Sequence, residues 1–100
     1  MKERDIEKEL VRRVKAAGGE IRKVKWIART NAPDRLVMVP ANLYTARFGP
    51  GNAPFHFWVE LKRPGEEATA AQLREHQRMR DAGMVVYVCS TFSELDALPI

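Results

Sequence analysis

One cysteine, Cys89, is all the chain has, so no disulfide can close within it. It sits in the apolar run "MVVYVCS" and reads as a small buried hydrophobe, which suits a reducing compartment. No apolar run approaches the ~20 residues a membrane helix needs, so no membrane association is expected. The opening "MKERDIEKEL" is charged and lacks the apolar centre of a signal peptide. The two histidines, His56 and His76, have no His or Cys at ligand spacing, which argues against zinc. Repeats and low-complexity tracts are missing too.

What is present is an ordinary globular composition of 100 residues, which bounds the chain to a single domain over 1–100. The net charge of +4 is unevenly placed: residues 1–50 hold twelve Lys or Arg against six acids, and residues 51–100 hold five against seven. Arg12, Arg13, Lys23, Lys25, Arg29, Arg35 and Arg47 make up much of that excess. A one-sided basic surface suits a polyanion such as DNA, and equally a solubilising face.

Periodicity divides the chain into seven elements. Ile6, Leu10, Val14 and Ala17 recur at helical spacing, so Lys2 to Ala17 reads as a helix that "AGGE" ends. "IRKVKWI" (21–27) and "DRLVMVP" (34–40) read as strands, the second stopped by Pro40. Residues 41–54 form a long connection, and "FHFWVELK" is a third strand. Thr69 to about Ala82 is a helix closed by Gly83, "MVVYVCS" a fourth strand, and "TFSELDAL" a short terminal helix. The order α-β-β-β-α-β-α implies an α/β fold, a mixed four-stranded sheet flanked by helices.

Several residues fit this frame poorly as scaffold. On a wheel of about 100° per residue, Glu7 falls inside the apolar stripe of the first helix. An ionised carboxylate there pairs, protonates or binds a cation. Glu3 shares the arc but lies in the first turn, where an acid is unremarkable. Alternation in "FHFWVELK" puts Phe55, Phe57, Val59 and Leu61 on one face and His56, Trp58, Glu60 and Lys62 on the other. If the second and third strands are antiparallel neighbours, Asp34 and Glu60 converge. Two carboxylates in one place call for a cation, and hard oxygen donors suit Mg²⁺ or Mn²⁺. Lys62 beside them could orient water and offset charge on a phosphate. Together these are the minimum equipment for phosphodiester hydrolysis.

A Pro-Asp pair followed by E-L-K at a strand end resembles the PD-(D/E)XK nuclease superfamily. "IEKEL", "APDRLVMVP", "FWVELKRPG" and "ATAAQLREHQRMRDAGMVVYV", in this order, resemble the VRR-NUC family of virus-type replication-repair nucleases. The resemblance implies a restriction-endonuclease-like fold. It implies Asp34, Glu60 and the Leu61 carbonyl as metal ligands, Lys62 as the catalytic lysine, and Glu7 as the acid completing the site. It implies a metal-dependent DNA endonuclease, homodimeric, acting on branched DNA such as flaps or four-way junctions, in the cytoplasm of a bacterium or phage-infected cell. The rival is a non-catalytic DNA-binding or interaction module of the same fold. Gln72 matches a helical glutamine lining the cleft, yet Thr69-Ala-Ala-Gln72 is also a capping box. Asn31 stands where members often carry Gly, and Asn tolerates the left-handed conformation. His56 reads as a sheet histidine and Trp26 as a core or interface residue. Tyr44, Arg47 and Phe48 are candidates for a projecting loop that grips DNA or a second copy.

Overall fold

The computed structural model describes residues 1–40 and 55–100. Among the described residues seven elements follow in order: α1 (Glu3–Ala16), β1 (Glu20–Lys23), β2 (Arg35–Val39), β3 (Phe55–Leu61), α2 (Ala70–Asp81), β4 (Val86–Cys89) and α3 (Phe92–Leu95). The described residues thus follow the expected order α-β-β-β-α-β-α. Residues 41–54, with Tyr44, Arg47 and Phe48, lie outside the described residues.

The strands form one sheet in the order β1-β2-β3-β4. β1 and β3 each run antiparallel to β2, and β3 pairs with β4 in parallel across the α2 crossover. Ile6, Leu10 and Val14 of α1 are completely buried and meet Val37, Phe57, Val59 and Leu61 on one face of the sheet. Leu95 and Leu98, from α3 and the turn after it, close that core. On the other face Met79 of α2 packs with Trp58 and Val86. The alternation read in β3 therefore holds, with a core on each side.

Local chemistry sets the element ends. The Lys2 N–H donates to the Asp5 carboxylate at 2.7 Å, capping α1. Gly19 lies so close to β2 that an added Cβ would meet the Met38 carbonyl at 2.9 Å. β1 stops at Lys23, short of the expected Ile27. The cause is Trp26, which leaves the ladder to lie 5.0 Å from Trp58 and to donate its indole N–H to the Pro33 carbonyl at 2.8 Å. Asn31 takes the left-handed conformation, φ 67°, in the turn back toward β2. Among the described residues no helix is long and apolar enough to cross a membrane.

Candidate active site

The antiparallel register sets Arg35 of β2 opposite Val59 of β3. Asp34 lies one residue ahead of β2, at the same end of the sheet as Glu60, and its charge reaches the Glu60 carboxyl. Glu60 alternates with Trp58, which packs in the α2-side core. Pro33, just ahead of Asp34, has no N–H with which to extend the ladder, and the β2–β3 pairing ends at Arg35.

Glu60 is only 13% exposed along its side chain. Its pKa is pushed up to about 7, chiefly by burial; Lys62 pulls it down, Asp34 and Glu3 push it up, and Arg35 pulls it down. A carboxyl so placed is only partly ionised near neutral pH, because burial outweighs the pull of Lys62 and Arg35. Lys62 is the next residue on the same face and is nearly buried. Its backbone N–H donates to the Cys89 carbonyl at 2.9 Å, which fixes the strand end. Cys89 is no rival nucleophile, since burial raises its thiol to about 11.

Arg35 changes the expected picture. Counted in the sequence among DNA-contacting residues, it is only 6% exposed. Parity puts it on the α1 side, where its guanidinium pairs with Glu7 and with the adjacent Asp34. Burial opposes its charge, yet the two carboxylates more than offset this and raise its pKa. Glu7 thus has a cation, as its place in the apolar stripe demands, and that cation belongs to the protein. Glu7 and Asp34 therefore flank one guanidinium. From α1, the charge of Glu3, one turn earlier and unremarkable in the sequence, also reaches Glu60. Among the described residues no group of three or more His, Cys, Asp or Glu side chains could hold a metal ion. The donors fit a hard divalent ion of the Mg²⁺ type nonetheless, because such ions bind through one or two carboxylates and keep several waters.

α2 supplies the floor of the site. The Thr69 N–H donates to the Gln72 side-chain oxygen at 2.9 Å, and the Gln72 backbone N–H donates to the Thr69 hydroxyl at 3.1 Å. The capping reading of Gln72 accounts for these bonds. One turn on, His76 is fully buried with Nε2 3.3 Å from Glu60 Oε1. Sequence spacing set His76 on the Gln72 side of the helix without revealing the contact. Glu75, 4% exposed, holds Arg29 through two bonds of 2.6 and 3.0 Å and pairs with Arg78. His56 is exposed and stands apart.

The remaining basic candidates divide. Arg12 and Arg13 share Glu9, and Arg13 also reaches Asp96. Lys23 and Lys25 are exposed, and among the described residues neither joins an ion pair. Arg47 lies outside the described residues.

No family model matches the chain. It is similar to a curated phage protein, "Putative nuclease p44" of Acyrthosiphon pisum secondary endosymbiont phage 1, with 37% identity over 99 residues, 99% of this chain and 94% of the relative. Its fold is similar to a solved structure titled "VRR_NUC domain", with TM-score 0.75 and 32% identity over 94% of this chain and 89% of that one. Identity at this level along nearly the whole length, with the same fold, makes the chain a member of the VRR-NUC family of nucleases.

Proposed function

We propose that the chain is a divalent-metal-dependent DNA endonuclease whose centre is Asp34, Glu60 and Lys62. What supports this is the antiparallel β2–β3 pairing, which ends with Asp34 and Glu60 at one end of the sheet, and the Glu60 carboxyl, whose pKa is raised chiefly by burial and further by the Asp34 charge. Asp34 and Glu60 would hold Mg²⁺ or Mn²⁺, with the Leu61 carbonyl as a further ligand. The bound ion supplies Lewis acidity toward the scissile phosphate and makes a water molecule a better nucleophile. Lys62 orients that water and offsets charge developing on the phosphate. Arg35 holds the Asp34 carboxylate in place, and Glu7 holds Arg35 there. Exposed Lys23 and Lys25, with Arg12, hold phosphates away from the centre, which makes binding salt-dependent. A chain this small gains grip and reach from a second copy, and a homodimer suits flapped and four-way DNA.

Cleavage of linear, flapped and four-way DNA tests the reading, with Mn²⁺ or chelator, beside Lys62→Ala. Metal-dependent cutting by the native chain, lost in the variant, is the expected result. Cutting in chelator, or equal cutting by the variant, refutes it. DNA binding without cleavage in any metal supports the binding-module alternative.

A further inference from the structure

His76 is the buried ionisable group that phosphodiester hydrolysis does not call for. Its side chain is completely buried, with Nε2 3.3 Å from Glu60 Oε1. Its other ring nitrogen, Nδ1, is buried with no hydrogen-bond partner among the described residues. An unpaired buried polar atom is a stability liability. A leucine would fill the space between α2 and β3 without it. A residue that weakens the fold is retained where it does something else.

We infer that His76 is a positioning residue for Glu60, holding one carboxylate oxygen through Nε2 so that the other faces the cation. This rests on the proposed role of Glu60 as a metal ligand. A neutral imidazole is well matched to that role, because it fixes orientation without cancelling the carboxylate's charge, as an Arg or Lys at this contact would. Glu75, the acid beside it on α2, is itself committed to Arg29 and Arg78. Carboxylate ligands of metals are characteristically held by such outer hydrogen bonds. Glu60 has Lys62 beside it on the strand and His76 above it from the helix, so its rotamer is bounded from two elements.

The test is calorimetric titration of Mn²⁺ into the native chain, His76→Leu, His76→Gln and His76→Asn, with thermal unfolding of each in chelator. Glutamine reaches to about where Nε2 stands, and asparagine does not. His76→Leu is expected to unfold no earlier than the native chain, yet to bind Mn²⁺ about 10–100-fold more weakly. His76→Gln restores most of that affinity. Cleavage by His76→Leu falls at low Mn²⁺ and recovers at high Mn²⁺, with KM for DNA unchanged. Native affinity in a folded His76→Leu overturns the inference. If His76→Leu does not fold, equal Mn²⁺ affinity in the Gln and Asn variants overturns it. A native chain that binds no Mn²⁺ overturns the metal reading itself, whereas native binding with an indifferent His76 overturns this inference alone.

Discussion

Replacing Glu60 by glutamine should stabilise the metal-free protein at alkaline pH. The side chain keeps its shape and loses its charge. In the folded chain the Glu60 carboxyl titrates at about 7, against an ordinary 4.5. The folded state therefore holds a proton that the unfolded state has released between those values. Stability falls as pH rises from about 4.5 to 7 and is level above that, because the folded pKa is the higher one. At about 1.4 kcal/mol per pH unit the full penalty is roughly 3 kcal/mol. Solvent screening at the partly open site reduces it, so about 1–2 kcal/mol is the working figure. The assay is urea unfolding of both chains in chelator at pH 5 and pH 8. With a slope of about 1–3 kcal/mol per molar urea, the variant's midpoint should rise by about 0.5–1 M relative to the native chain at pH 8. At pH 5 the two midpoints should nearly coincide. Other titrations are common to both chains and cancel in the difference. A gap that does not widen with pH refutes the claim that burial holds the pKa of the Glu60 carboxyl up.

Other substitutions probe the supports of the site. Glu7→Ala strips Arg35 of one of its two carboxylates; removing a partner from a buried ion pair costs about 3–5 kcal/mol, reduced here to about 1–3 because Glu7 is 36% exposed, as chemical unfolding would read. Thr69→Ala removes the α2 cap at a cost of about 1 kcal/mol, measurable as a lower midpoint at unchanged slope. Phe57→Ala empties a completely buried position and should cost about 3–5 kcal/mol, with the midpoint falling to match.

Legibility followed the range of the interaction. The stripe Ile6, Leu10, Val14 and the alternation of Phe57, Val59 and Leu61 are local patterns, and both lie in the core they imply. Asp34 and Glu60 were visible as a pair only on the assumption that their strands are antiparallel neighbours, which the register meets. Arg35 was misread because charge counting treats every arginine as surface. Strand parity contained the correction, since Arg35 alternates with Val37 and Val39, which face the α1-side core. Glu7 in an apolar stripe signalled a buried cation but not which one. Trp26 ended β1 early through a contact with Trp58, 32 residues away in the chain, that no local pattern encodes. His76 and Glu75 are invisible for the same reason: a polar residue on a helix reads as exposed until its partner on another element is known.

Mn²⁺ binding by the Asp34→Asn, Glu60→Gln double variant, measured by calorimetry beside the native chain and Glu7→Gln, tests the two-carboxylate centre most directly. The native chain should show a saturable site, the double variant none, and Glu7→Gln nearly native affinity. Saturable binding of undiminished strength in the double variant would contradict it.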